Sequence, residues 1–377
     1  MKKMLYILNQ ANRVNNFSYT SMLAAQALGY DFHIAGNWNY PSEQEKKADE
    51  KKYGIHIHQI DFIRIPYRIG NFRAYKQVKI LVENERFDII HCNTPIGGVV
   101  GRIVGRSCKV PVVIYQAHGF HFYRGAPIKN WIVYYTIEKI LARSTDVLIT
   151  INKEDFERAK RFHLHRNGRV YYVPGVGIDV DKYDMDAAKR DITRKKLGLN
   201  DQNIMIISVG DLIDRKNYQT AIKAVKKTNN ENLHFFICGE GPEINRLKKN
   251  CKRLGVEKQI HFLGYRSDVN ELLKAADVFL LTSTQEGLPR SLMEAMACGL
   301  PCIVSKIRGN TDLINEQSGL LAKPYDYELF AKHLSMLIEN PKLRDKLSSA
   351  SKQSISGFSV DAVIKEIEHI YKIEIGN

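Results

Sequence analysis

The segment Glu286-Gly-Leu-Pro-Arg-Ser-Leu-Met-Glu294 sets two carboxylates eight residues apart around a glycine and a proline. It follows an apolar run, Val278–Leu281, and opens a helical pattern over 290–297. Gly287 lets backbone approach a ligand closely. Leu288 and Pro289 lead into the first helical turn, where proline is well tolerated. The free amides of that turn attract an anion such as a diphosphate. Glu286 and Glu294 are not stacked neighbours on one helix. Glu286, in the loop, is placed to take sugar hydroxyls, and Glu294, two turns along, ribose hydroxyls. A lone acidic residue favouring the helix dipole explains one of them but not their common setting.

Three more turns follow apolar runs in the same half of the chain. Gly210-Asp-Leu-Ile-Asp-Arg-Lys-Asn217 carries Arg215 and Lys216, cations suited to a leaving diphosphate. Gly239, Glu240 and Gly241 make a tight turn ahead of Pro242. Gly264-Tyr-Arg-Ser-Asp-Val269 offers backbone for a pyrimidine edge, with Tyr265 or Arg266 beside the ring and Val269 closing the turn. In the first half, His118-Gly-Phe-His-Phe-Tyr-Arg-Gly-Ala-Pro127 gathers two histidines, three aromatics and an arginine after the run Val112–Ala117. His118, nearest the strand end, is expected at the ligand. Phe120, His121, Tyr123 and Arg124 form a candidate acceptor side, suited to a sugar face or a lipid surface.

The elements that must position these turns are short strands alternating with amphipathic helices. Strand candidates are Met4–Leu8, Phe32–Ala35, Ile89–Cys92, Val112–Ala117, Val147–Thr150 and Val170–Val173. After a break they resume at Ile204–Val209, Leu233–Cys238, Ile260–Phe262, Val278–Leu281, Cys302–Ser305 and Gly319–Ala322. Each is near-continuously apolar rather than alternating, as in a parallel sheet covered on both faces. Helical patterns fill the intervals, among them Ser18–Ala27, Ala74–Asn84, Lys129–Ala142, Lys153–Phe162 and the final Asp361–Ile373. This is an α/β chain of two doubly wound, Rossmann-like domains. The break is Pro174-Gly-Val-Gly177 and the polar stretch after it, giving domains 1–177 and 178–360. The acidic run Asp179, Asp181, Asp184 and Asp186 lacks the central glycine and closing glutamate of a calcium loop.

The 377 residues exceed one ordinary hydrophobic core. No apolar run reaches the roughly 18 residues of a membrane span, and the apolar start is too short for a signal peptide. Six cysteines without a CxxC pair argue against zinc and for reduced thiols in a cytosol. The net charge of +15 calls for an anionic partner. No helix-turn-helix, ribonucleoprotein or finger signature supports nucleic acid. A nicotinamide oxidoreductase would place glycines directly after its first strand, whereas none occurs between Leu8 and Gly29.

Taken together, these segments resemble the retaining, nucleotide-sugar-dependent glycosyltransferases of family 4, with the GT-B fold. The resemblance spans nearly the whole chain. It rests most on Glu286 to Glu294, the Gly239–Pro242 turn and the 118–127 segment. With Ile149–Asp155 and Val173–Asp179, it is similar to the bacterial capsular and exopolysaccharide branch. It implies a UDP-sugar donor, often an N-acetylhexosamine, and an acceptor sugar on undecaprenyl diphosphate. It also implies two domains facing across a cleft, closing to bring His118 to the donor, with the last helix packed on the first domain. Glu286 would hold the donor sugar, Glu294 the ribose, Lys216 the diphosphate and the 265–269 turn the base, while His118 would approach the reacting carbon. A sugar-nucleotide epimerase or another GT-B enzyme is the alternative.

Two positions depart from the family pattern. Asp211 stands where many members have arginine, so one expected diphosphate cation is missing: either Arg215 substitutes for it or the donor lies differently. The glycine-rich loop after the first strand is replaced by Asn9–Phe17, where Asn15 and Asn16 are candidates for the turn and its polar contacts. No pair of acidic loops suggests a metal-bound diphosphate, so neither metal nor other cofactor is expected.

The basic excess is uneven. Residues 1–177 hold 26 of the 56 Lys and Arg but only 14 of the 41 Asp and Glu. A donor diphosphate alone would draw the excess to the second domain. Its location in the first points to a lipid-diphosphate acceptor and an anionic bilayer, hence a cytoplasmic enzyme peripheral on the inner face of the cell membrane.

Overall fold

The computed structural model describes residues 1–14, 16–65, 68–183 and 187–375. Asn15, Asp184 and Asp186, singled out above, lie outside them, as do the last two residues of the chain. Two compact units form. One holds Met1–Gly177 with Val360–Asn377, the other Ile178–Ser359.

The first unit carries seven strands: β1 (Lys3–Gln10), β2 (Asp31–Asn37), β3 (His56–Gln59), β4 (Ile89–Asn93), β5 (Val112–Ala117), β6 (Val147–Thr150) and β7 (Arg169–Tyr172). They run parallel in the order β3-β2-β1-β4-β5-β6-β7. The second unit repeats the plan with β8 (Ile204–Val209), β9 (Leu233–Cys238), β10 (Ile260–Gly264), β11 (Val278–Leu281), β12 (Cys302–Ser305) and β13 (Gly319–Ala322). Its order is β10-β9-β8-β11-β12-β13, again parallel. In each sheet the strand order reverses once, between β1 and β4 and between β8 and β11. The crevice at the carboxyl ends of such a pair is where doubly wound sheets bind ligands.

Both faces of each sheet are buried, which is why the strands read as continuous apolar runs. In the first unit, one strand and two helices lie outside the elements named from the sequence. Strand β3, His-Ile-His-Gln, is polar because it lies at the sheet edge. The helix Glu43–Tyr53 is almost wholly charged and is fixed by a capping box between Ser42 and Glu45. The helix Pro95–Ser107 contains four glycines. Those glycines let it press on the sheet: a Cβ at Gly98 would lie 2.4 Å from the Tyr115 ring and one at Gly101 2.5 Å from Cys92.

Helix Val360–Ile375 packs against helix Asn16–Ala27 within the first unit. Tyr371 on it is fully buried, and its hydroxyl meets His91 Nδ1 at 2.6 Å. All six cysteines are free thiols, and no described helix is long and apolar enough to cross a membrane.

Candidate active site

In the second unit the turns after β8 and β11, on either side of the strand-order reversal, carry Lys216 and Glu286. Glu286 is buried. Its Oε1 accepts from Lys216 Nζ at 2.7 Å and from Ser283 Oγ at 2.7 Å. Its Oε2 accepts from Arg215 Nη1 at 3.2 Å. The Lys216 and Glu286 side chains are only 9% and 7% exposed, whereas Arg215 keeps 41% of its surface in solvent. The two loops are sewn together below these charges. Thr284 N donates to Arg215 O at 2.8 Å, and Thr282 Oγ1 donates to Asn217 O at 2.9 Å. Asn217 takes a left-handed backbone, φ 52°, to turn the chain there.

A third arm reaches the same residue through its backbone. Arg308, after β12, is buried and donates from Nε to the Glu286 carbonyl at 3.1 Å. Gly309 beside it has φ 81°, and a Cβ there would lie 2.5 Å from Gly287 O. The sequence reading missed Arg308. No sequence signal set it apart, because Arg308 stands three residues beyond its strand and its role depends on the Glu286 carbonyl that it meets.

Glu294 sits on helix Arg290–Ala297, which follows Leu288 and Pro289. Its carboxylate accepts from Arg290 Nε at 2.8 Å. Burial, and then the Glu294 charge, push the nearby Tyr183 phenol up to about 12. The helix start has no side-chain cap among the described residues, so its dipole end is available to an anion.

The glycine turns close up on each other. Gly210 N donates to Cys238 O at 2.9 Å, Leu212 N to Glu240 O at 2.8 Å, and Gly239 N to Gly264 O at 2.8 Å. A Cβ at Gly239 would stand 2.1 Å from Gly210 O, and one at Gly241 2.4 Å from Leu212 O. Glycine is required there for backbone to lie on backbone. Glu240 Oε1 accepts from Tyr265 N at 3.3 Å, and the Tyr265 ring is 79% exposed. Arg266 is committed to Asp268, at 2.7 and 2.5 Å, so its guanidinium is engaged in the turn. Val269 opens the next helix and packs on the core. Asp211 is exposed.

In the first unit, Asn9 belongs to β1 and Asn16 begins the helix Asn16–Ala27. His118 follows β5. Its Nε2 lies 2.8 Å from Asn93 Oδ1, at the end of β4, and Phe17 meets its ring edge-on at 4.9 Å. Burial holds the imidazole down to about 4, so it is neutral near pH 7. His118 Nδ1 and Asn93 Nδ2 are screened from solvent and have no hydrogen-bond partner among the described residues. Buried polar atoms of this kind call for a ligand or water. Asn93 was not singled out from the sequence.

The 118–127 segment corrects one expectation. Phe120 is not on an acceptor surface. Phe120 and Phe122 are 3% and 0% exposed, stack at 4.7 Å, and pack with Phe162 in the core. The aromatics were needed inside, under the loop, because the loop folds back over the sheet end. Asp155 holds it there, accepting from Phe120 N at 2.9 Å, and is itself fixed by the Asn152 cap. His121 is exposed and stacks on Tyr134 at 4.7 Å. Tyr123 is half-buried, and Arg124 is exposed, with its amide donating to Glu154 at 2.7 Å.

Comparison with known proteins gives the family and the fold. Residues 189–354 match the model of glycosyl transferases group 1, and residues 3–152 match the glycosyl transferase 4-like model. EpsD of Bacillus subtilis, a protein named as a glycosyltransferase, is 32% identical over 350 residues, covering 91% of this chain and 89% of its own. The UDP-Gal:alpha-D-GlcNAc-diphosphoundecaprenol alpha-1,3-galactosyltransferase of Escherichia coli is 31% identical over 319 residues, covering 81% and 82%. The crystal structure of Anabaena HepE in complex with UDP and glucose superposes with a TM-score of 0.81 at 19% identity, covering 99% and 100% of the two chains. The chain belongs to the family 4, group 1 glycosyltransferases of the GT-B fold.

Proposed function

We propose that this glycosyltransferase moves a hexose or N-acetylhexosamine from a UDP-sugar to a saccharide carried on undecaprenyl diphosphate, retaining the anomeric configuration. The observation that carries the proposal is the group Lys216, Arg215 and Glu286 at the strand-order reversal of the second sheet. The relative from E. coli, whose name gives both a UDP-sugar and a diphosphoundecaprenol acceptor, supports the choice of substrates.

Breaking the sugar–diphosphate bond leaves negative charge on the departing UDP. Two cations and a helix start lie in the turns of one sheet end, and Glu286 holds the cations in position beforehand. Donors fixed in advance contribute about 2.7–4 kcal/mol each to such a transition state. The acceptor hydroxyl attacks the anomeric carbon from the face the UDP leaves, and a phosphate oxygen takes its proton. Glu286 receives donor hydroxyls, Glu294 the ribose, and the backbone at Tyr265 to Val269 the base. Neutral His118 offers Nδ1 to the transferred sugar. The chain's own cations serve in place of a metal.

The same proposal places the enzyme on an anionic membrane through its first unit. Helical residues Ile128–Asn130, a π turn at Trp131–Tyr135 and Thr136–Ala142 follow one another. Ile128 and Ile132, four apart and so on one face, and Ile140 further along are 77%, 65% and 59% exposed. Lys129, Lys139 and Arg143 are exposed among them. From below, Glu138 pairs with fully buried Arg102 at 2.7 Å, and Trp131 and Tyr135 pack on Phe122. Exposed isoleucines with basic flanks on a firmly seated helix fit a bilayer interface.

A panel of UDP-sugars with a polyprenyl-diphosphate N-acetylhexosamine, read by mass spectrometry, tests the reading. Gain of one sugar residue by the lipid is expected; free sugar alone, with unmodified lipid, would contradict it.

A further inference from the structure

At the amino-terminal ends of β2 and its neighbour β3, the edge strand of the first sheet, three ligand-type side chains converge. Asp31 and His33 lie on β2, and His56 is the first residue of β3, directly opposite His33 in register. Asp31 Oδ2 is 3.2 Å from His33 Nε2, and Asp31 Oδ1 is 3.1 Å from His56 Nε2. One ligand atom from each of the three lies within 4.8 Å of the other two. We propose that Asp31, His33 and His56 bind a divalent transition metal of the zinc type, which staples the edge strand β3 to the sheet.

The group has an outer layer that suits a metal. His33 Nδ1 lies 2.8 Å from His58 Nε2. If Nε2 of His33 ligates, its proton sits on Nδ1 and is donated to His58, the arrangement by which ligating histidines are oriented. Two imidazoles and one carboxylate select zinc and its neighbours over calcium or magnesium, which take oxygen ligands. Lys3, in register with Asp31, is held by Glu85 at 2.6 Å, so its charge is balanced locally. His33 is 4% exposed and His56 56%, giving the site a buried wall and an open side for a water as fourth ligand. The four-residue strand β3 has little apolar side chain with which to hold itself to the edge. The cysteine spacing argued against zinc, and these residues stand apart from every cysteine in the sequence. The strand register brings them together.

The test uses the full chain stripped with a chelator, then titrated with Zn²⁺ in a calorimeter and with Co²⁺ in a spectrophotometer. One equivalent is expected, with cobalt d–d bands of nitrogen and oxygen ligation and a raised thermal midpoint under excess zinc. His58→Phe should weaken binding about 10–100-fold. His56→Ala, at an exposed position, should weaken it further and abolish the thermal shift while circular dichroism shows the fold intact. Wild type binding zinc no more tightly than His56→Ala, or cobalt bands showing thiolate charge transfer, would overturn the proposal.

Discussion

Replacing Glu286 by glutamine removes one charge and almost no volume. The carboxylate accepts from Lys216 and Ser283, each at 2.7 Å, and from Arg215 at 3.2 Å. Arg215 is open enough to be rehydrated, but Lys216, 9% exposed, loses its counter-ion where water cannot replace it. Removing one partner of a buried pair costs about 3–5 kcal/mol, and the remaining amide and Ser283 contact favour the lower end. At roughly 2–4 °C per kcal/mol for a domain of this size, the ligand-free midpoint should fall by roughly 6–12 °C. A diphosphate supplies the missing negative charge. UDP should therefore stabilise Glu286→Gln more than it stabilises wild type in differential scanning fluorimetry. Transfer should nevertheless fall about 10²–10³-fold, because the sugar hydroxyls lose their carboxylate. The reasoning is refuted if the variant transfers sugar at the wild-type rate, or if UDP stabilises it less than wild type.

Other expectations follow from single contacts. Lys216→Met should abolish the UDP-induced thermal shift while the second unit stays folded, since methionine keeps the buried stem; an undiminished shift would remove Lys216 from the diphosphate site. His91 is fully buried and held down to about 3 by burial. The unfolded chain binds a proton there below about pH 6.5 and the folded chain does not, so stability is present above that pH and is lost as pH falls. Between pH 7 and 5 this amounts to about 2 kcal/mol, measurable as a lower urea midpoint at pH 5 whose pH dependence shrinks in His91→Gln. Replacing Ile132 and Ile140 by aspartate should cut flotation with anionic vesicles without altering the thermal midpoint, because both side chains already face water; undiminished flotation would exclude this helix. Gly98→Ala should cost about 1–3 kcal/mol by forcing the helix away from Tyr115.

How far the fold was legible depended on what each residue had to satisfy locally. Strands buried on both faces announce themselves, and Val112–Ala117, Val147–Thr150 and five of the second set fall where the apolar runs lie. Helix Pro95–Ser107 did not, because its glycines serve contact with Cys92 and Tyr115, which are distant partners. The turns of the second unit were legible since each follows its strand directly. That Lys216 and Glu286 bond to each other was not, because it depends on β8 lying next to β11. Likewise, Phe120 reads as a display residue until Asp155 is seen to draw its backbone inward. Asn93 and Arg308 gained meaning only from the atoms they face, His118 and the Glu286 carbonyl.

The most direct test of the proposed reaction is the anomeric configuration of the first product. The enzyme would be supplied with an α-linked UDP-sugar and a short-chain polyprenyl-diphosphate N-acetylhexosamine, and the lipid product examined by proton NMR. The proposed mechanism, in which the acceptor attacks from the face that the UDP leaves, predicts an α-linked new sugar with a small anomeric coupling. A β-linked product, with the large coupling of two axial protons, would contradict it.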